Sequence, residues 1–460
     1  MRSHKLFVIG LDCLDPTLAF DWWLDELPNL KALAGRSVYG RLASTIPPIT
    51  VPAWTCLLTG RDPGQQGFYG FRNRADYSYE QMSMATADKI RYPRVWDTVS
   101  GAGGKVIVVG VPQTFPVKPV NGIMVSSFLT PSTSSAYTWP PEFKEEIRET
   151  VGEYLLDVPN FRTNDKVRLL QNIYRMSRQR FDLIEHLLKT RPNWDLFMFV
   201  EMGPDRIHHG MWKYVDPRHP RYKAGNPYQN TIRKYYQFID ERIGRLLDML
   251  PGDAAVLVMS DHGAQPMIGG ICLNDWLIEQ GYLTLAYKPD GLVSLPMCEV
   301  DWSRTKAWGA GGYYGRVFLN VQGREPQGVI PPDRVAAFKA EITAQLKAIT
   351  DPAGREIGTR VFEPAQVYAE VNNIPPDLLI YFGNLAWRSV GTLGNDSIHT
   401  FENDTGPDDA NHAQHGLYML YRPAHPVGAR RDRTWRAVAP TMLELLGLDA
   451  PEQVSEERLW

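Results

Sequence analysis

Val258-Met259-Ser260-Asp261-His262-Gly263 is the stretch whose reading decides the fold of this chain. It continues the apolar run Ala254-Ala255-Val256-Leu257, which reads as a buried strand. A carboxylate and an imidazole therefore fall side by side where that strand ends. In open α/β sheets, ligands bind outside the carboxyl ends of the strands. Asp beside His at such an edge offers one oxygen and one nitrogen to a metal ion. The same pair also suits a solvated turn, so its meaning depends on what the other strand ends carry.

Apolar runs recur at Leu6–Leu11, Val106–Val111, Leu196–Val200, Ala254–Met259, Leu378–Tyr381 and Gly416–Leu420. Helical spacing separates them. Asp182–Lys189 has it, and so does Thr231–Leu250, with Ile239, Ile243, Leu246 and Leu247 on one face and Pro251-Gly252 as the stop. Strands alternating with helices of this length predict an α/β fold of βαβ units around a mainly parallel sheet. Two segments fit that pattern poorly. Residues from about 130 to 167 contain Pro131, Pro140 and Pro141 among mixed polarity. Residues from roughly 282 to 376 are rich in Gly and Pro, with a strand at Gly315–Val321 and a helix near Asp333–Ile349. Both are expected to be cleft-shaping insertions in a single domain spanning residues 1–460.

The chain has 460 residues, 43% of them hydrophobic, enough for a large core. A net charge of −3 leaves no basic footprint for nucleic acid. Cys13, Cys56, Cys272 and Cys298 are widely spaced with no C-x-x-C pair, which points to a reducing, cytoplasmic setting rather than a disulfide framework. After Met1-Arg2-Ser3-His4-Lys5, the apolar run to Leu11 is too short for a signal peptide. No later run approaches the roughly 18 apolar residues of a membrane helix. A soluble protein is expected, and no pattern points to a particular oligomeric state.

Four further clusters stand at comparable positions to Asp261-His262. Asp12 ends the first strand, where an Asp otherwise caps the next turn. Thr50 lies in Thr45-Ile46-Pro47-Pro48-Ile49-Thr50-Val51-Pro52-Ala53-Trp54-Thr55, between prolines and ahead of a helix beginning around Ala53–Leu58. Near a helix N-terminus, free N–H groups and the dipole stabilise an anion or alkoxide; the plain alternative makes Thr50 an N-cap. Glu201-Met202-Gly203-Pro204-Asp205-Arg206-Ile207-His208-His209 follows the strand at Leu196–Val200. Asp205 and His209 are four apart, on one face of a helical turn, whereas His208 points elsewhere. Asn411-His412-Ala413-Gln414-His415-Gly416 precedes the last strand and brings two more histidines.

Together the candidates are Asp12, Thr50, Asp205, His209, Asp261, His262 and His412. Mixed oxygen and nitrogen donors suit zinc, or manganese, better than calcium or magnesium. Seven donors exceed one tetrahedral site and predict two adjacent divalent ions, the arrangement that clamps an in-line phosphoryl displacement.

In this set and order, the sequence resembles the type I phosphodiesterase/nucleotide pyrophosphatase family of the alkaline phosphatase superfamily, close to its bacterial phosphohydrolase and phosphomutase-like branch. The likeness runs from the strand ending at Asp12 through Thr50-Val51-Pro52-Ala53-Trp54-Thr55 and Thr59-Gly60-Arg61-Asp62-Pro63-Gly64. It continues through Asp205…His209, Ser260-Asp261-His262-Gly263 and His412…Gly416, to the late segment Val438–Gly447. The resemblance implies an alkaline-phosphatase-like three-layer αβα sandwich. It implies a metal-dependent hydrolase of a small phosphate ester, a phosphodiester or nucleotide pyrophosphate, acting through a covalent phosphothreonine. Thr50 would be nucleophile and metal ligand, Asp12, Asp261 and His262 would hold one ion, and Asp205, His209 and His412 the other. His415 is the alternative to His412. Two positions depart from the family pattern: Ala53 stands where an Asn is frequent, and Gln66 where a His precedes the last Gly of the phosphate-binding block. A phosphomutase or phosphomonoesterase using the same site, and a binding protein with an inert site, are the rival readings. The nucleophile region lacks the Cys/Ser-x-Pro-x-Arg pattern of sulfatases.

Overall fold

The central strands are apolar on both faces because both faces are covered. Leu6–Leu11, Leu196–Glu201, Val106–Val109 and Ala255–Met259 are buried at every position, the signature of a parallel sheet between helical layers. In the computed structural model, which describes residues 5–451 and 454–460, these strands form the middle of a ten-stranded sheet. The opening Met1–His4 lies outside the described residues.

Leu6–Leu11 pairs in parallel with Leu196–Glu201 on one side and Ala255–Met259 on the other. Val106–Val109 and Gly122–Val125 extend the parallel block beyond Leu196–Glu201. At the opposite edge, His415–Tyr421 runs antiparallel to Ala255–Met259, followed by Val38–Ala43. Registers Gly10↔Met259 and Leu11↔Glu201 bring Asp12, the 201–205 turn and Asp261 to the same end of neighbouring strands.

Helices fill two layers. Pro28–Ala34, Phe143–Val151, Lys166–Thr190, Gly203–Val215 and Thr231–Met249 pack in one group, and Thr50–Thr59, Val95–Gly101 and Val438–Leu445 in another. The expected α/β architecture with a mainly parallel central sheet between helical layers is therefore the fold. Among the described residues, no helix is long and apolar enough to cross a membrane.

One apolar run has a different setting from the parallel block. Leu378–Tyr381 belongs to a separate four-stranded antiparallel sheet with Ala307–Ala310, Gly315–Leu319 and Arg360–Phe362. That sheet and the helix Val335–Lys347 have their own apolar cluster, around Trp308, Phe318, Ile342 and Ile380. Val38–Ala43, which no apolar run announces, is a strand of the main sheet with alternating burial. The segment around 130–167 supplies the edge strand Thr138–Trp139 and buries Tyr137, Phe143 and Ile147 in the main core.

Candidate metal centre

Thr50 is the first residue of the helix Thr50–Thr59, all ten residues of which are buried. The N-cap position belongs to Ile49, whose side chain has no oxygen, so the Thr50 hydroxyl is free for another role. Its Oγ1 lies 3.3 Å from His262 Nε2. The strand Leu6–Leu11 ends at Asp12, which is fully buried. Cys13 follows with a positive φ of 63°, and its amide donates to Asp261 Oδ1 at 3.2 Å, locking two strand ends together.

Two triads form. Asp12, Asp261 and His262 each offer one ligand atom within 4.8 Å of the others, and so do Asp205, His209 and His412. In the first, His262 Nε2 lies 3.1 Å from Asp261 Oδ2 and 4.0 Å from Asp12 Oδ1. In the second, Asp205 Oδ1 is 3.3 Å from His209 Nε2 and 3.6 Å from His412 Nε2. The rings of His262 and His412 stack with centroids 3.8 Å apart, which joins the triads beside Thr50. All seven candidate residues come together. His415, by contrast, is exposed at the start of its strand, and His208 faces away and meets the Tyr236 hydroxyl at 3.0 Å.

The hydrogen bonds behind the imidazoles fix which nitrogen faces inward. His262 Nδ1 meets the Gly263 carbonyl at 3.2 Å, His412 Nδ1 the Pro48 carbonyl at 2.8 Å, and His209 Nδ1 the Asp408 carboxylate at 2.7 Å. Each partner is an acceptor only, so each Nδ1 carries a proton and each Nε2 presents its lone pair to the site. His209 Nε2 and His412 Nε2 stand 3.3 Å apart. Two lone pairs at that separation repel unless positive charge sits between them. The carboxylates tell the same story. Asp12 Oδ1, Asp205 Oδ1 and Asp261 Oδ2 are buried and accept no hydrogen bond, an expensive arrangement without a cation. The donor set fits two divalent ions.

Protons fill that electrostatic role in the metal-free protein. Burial disfavours charge on His262 and His209, but the carboxylates of Asp261 and Asp12, and of Asp408 and Asp205, outweigh it and raise each to about 9. Burial and the His262 charge push His412 down to about 3. Burial raises Asp12 well above the carboxylate range, reinforced by Asp261 and Asp205. Asp205 goes the other way: the charges of His209 and Arg206 overcome burial and hold it well below that range. A cation entering this site displaces protons.

Four residues around the centre were not singled out from sequence for the parts they play. Trp54 Nε1 donates to Asp12 Oδ2 at 2.7 Å. Arg206 holds the outer oxygen of Asp205 and pairs with Asp157 at 2.7 Å. The Tyr313 ring stacks on His412 with centroids 4.3 Å apart, and on His209 at 5.0 Å. Asp408 backs His209. Trp54 and Arg206 sat inside motifs read from the sequence; Tyr313 and Asp408 lie in segments whose spacing carries no chemical signal.

Known proteins share the fold. The murine ectonucleotide pyrophosphatase/phosphodiesterase 5 structure superposes with a TM-score of 0.58 over 98% of this chain and 97% of its own, at 12% identity. Phosphonoacetate hydrolase from Sinorhizobium meliloti 1021, solved with phosphonoformate, gives a TM-score of 0.58 over 91% and 90% at 18% identity. Choline-sulfatase of Rhizobium meliloti (strain 1021) is 24% identical over 307 residues, which are 56% of this chain and 57% of that protein, so the match spans little more than half of that relative's length. The family model for type I phosphodiesterase/nucleotide pyrophosphatase matches residues 6–412. The chain belongs to the type I phosphodiesterase/nucleotide pyrophosphatase family.

Proposed function

We propose that this protein is a metal-dependent phosphohydrolase that cleaves a phosphodiester or nucleotide pyrophosphate through a phosphothreonine at Thr50. The observation that carries the reading is the position of the Thr50 hydroxyl, buried at a helix N-terminus and 3.3 Å from His262 where the two triads meet. Asp12, Asp261, His262 and Thr50 would hold one divalent ion, and Asp205, His209 and His412 the other. Zinc fits this oxygen and nitrogen set best, with manganese next. When bound, the ions lower the hydroxyl pKa and draw charge from the phosphoryl oxygens.

The residues do the rest by position. The helix Thr50–Thr59 directs its free amides and positive dipole end at the region where Thr50 Oγ1 becomes an oxyanion. Attack forms the Oγ–P bond and breaks the bond to the leaving oxygen, and the proton lost by the Thr50 hydroxyl goes to the leaving group, an alcohol from a diester or a phosphate from a pyrophosphate. Water then attacks phosphorus and breaks the Oγ–P bond, one of its protons restoring the Thr50 hydroxyl and its oxygen leaving in the phosphate product. The murine neighbour supports a threonine in this part, since its inactive form carries a Thr→Ala change and was solved with AMP. The likeness to choline-sulfatase does not favour a sulfatase: Thr50-Val51-Pro52-Ala53-Trp54 has Thr and Trp where that chemistry uses Cys or Ser and Arg. Four cysteines without a disulfide suit a cytoplasmic setting.

Turnover of an aryl phosphodiester tests the reading. Thr50→Ala, with unfolding midpoint retained, is expected to abolish turnover, and so is chelation of the native protein. Single turnover in isotopically labelled water should put solvent oxygen into the product, which a mutase would not do. Activity surviving in either the variant or the chelated enzyme overturns the mechanism.

A further inference from the structure

His209 differs from the other two imidazoles of the centre in what stands behind it. His262 and His412 rest on main-chain carbonyls, at Gly263 and Pro48. His209 rests on the Asp408 carboxylate, Nδ1 to Oδ1 at 2.7 Å, with the Ala410 carbonyl at 3.2 Å. The Asp408 side chain is wholly buried, and its other oxygen accepts from Arg162 Nε at 3.1 Å and lies 3.8 Å from Arg388 Nη1. Its neighbour Asp409 adds a main-chain bond, amide to the His209 carbonyl at 2.8 Å.

We propose that Asp408 is a positioning residue for the Asp205–His209–His412 site, fixing the His209 ring and its Nδ1 proton so that Nε2 is aimed at the cation. The inference rests on the reading of that triad as a cation site. A carboxylate in this place does two things that a carbonyl does less well. It raises the basicity of the imidazole as a ligand, and its hydrogen bond from Arg162, with the Arg388 charge nearby, keeps the carboxylate and so the ring from turning. Arg162 extends the arrangement outward, because it also binds the Tyr313 hydroxyl, and Tyr313 covers His412 and His209. The consequence is asymmetric: loss of the Asp408 charge weakens one of the two sites and leaves the Asp12–Asp261–His262 site as it was.

Titration of the metal-free full-length chain with Zn2+, and separately with Co2+ followed by its visible absorption, reads this directly. Native protein is expected to take up two cations. Asp408→Asn preserves shape and should weaken one of them by about 10–100-fold, the usual effect of removing such a partner, with the other unchanged. The Co2+ band of the weakened site should shift, which a merely structural change leaves alone. The unaffected site is the internal control for folding. Isotope-edited NMR of the histidine ring nitrogens in the cation-loaded protein should find the His209 proton on Nδ1 in the native chain and shared between nitrogens in the variant. Two unaltered affinities in Asp408→Asn overturn the assignment of Asp408 while leaving the two-cation reading intact. Native protein that binds no cation overturns both.

Discussion

Asp12 receives one side-chain hydrogen bond, from Trp54, and that indole is itself fully buried beside Gly10. A Cβ at Gly10 would lie 2.7 Å from Trp54 Cη2 and 2.6 Å from Val200 Cγ2, so the strand must have glycine there for the ring to reach the carboxylate. Trp54→Phe keeps most of the ring and removes the donor. The metal-free protein should lose about 1–3 kcal/mol in urea unfolding, the cost of stranding a buried acceptor, and a cation-saturated sample should lose less. An unchanged midpoint would show that the bond is idle. His219 gives a second test at this scale. Burial, helped by the charges of Lys213 and Arg221, lowers it to about 4, and its Nδ1 accepts from the Arg221 amide at 3.0 Å. The unfolded chain, with an ordinary value near 6.5, binds the proton more tightly. Stability is thus fully present above about pH 6.5 and falls as pH drops toward 4. His219→Gln should flatten that part of the unfolding-midpoint profile; an identical slope would rule out His219 as its source.

The helix Gly203–Val215 presents Asp205 and His209, and its first turn is tied down by a polar knot. Glu201 Oε1 accepts from the Gly203 amide at 2.8 Å and from Ser177 Oγ at 2.9 Å, and Ser177 Oγ meets the Tyr235 hydroxyl at 2.8 Å. One strand end and three helices converge there. A Cβ at Gly203 would fall 2.6 Å from Glu201 Oε1, 2.8 Å from Ser177 Oγ and still closer to the Tyr235 hydroxyl. Gly203→Ala should therefore destabilise by about 1–3 kcal/mol, as overpacking does, and weaken cation uptake at the Asp205 site. A variant as stable and as tight as the native chain would contradict the packing argument. This element was legible from sequence because an apolar strand, a Pro at the first turn and an Asp–His pair four apart all point the same way. Val38–Ala43 was not, since its outward residues are polar or small and Gly40 interrupts any apolar run. Leu378–Tyr381 shows the opposite limit: four apolar residues announce a strand without saying which sheet receives it.

Across the whole molecule, the candidate donors span residues 12 to 412, and the main sheet, its flanking helices and the separate Gly263–Pro266/Ala410–Ala413 strand pair together bring them to one place. Strand-end chemistry could be read where a donor follows an apolar run, as Asp12, Asp205 and Asp261 do, or precedes one, as His412 does. Asp408 and Tyr313 could not, because they reach the centre through long-range packing of loops: the Asn411 side-chain amide bonds the Tyr313 carbonyl at 2.9 Å, and Arg162 joins Tyr313 to Asp408. Cations held at the two triads would tie the ends of strands Leu6–Leu11 and Ala255–Met259 to helices Thr50–Thr59 and Gly203–Val215 and to the strand Ala410–Ala413. Such ligands bind the folded chain alone, since the unfolded chain scatters the donors. Each site should then add about 2.7 kcal/mol when free cation stands at a hundredfold its dissociation constant. Thermal unfolding of chelator-treated protein should rise in two steps as Zn2+ is restored, and Asp205→Asn should show one step only. Superimposable curves with and without cation would mean that no ion bridges these elements, and the mechanism built on Thr50 would fall with it.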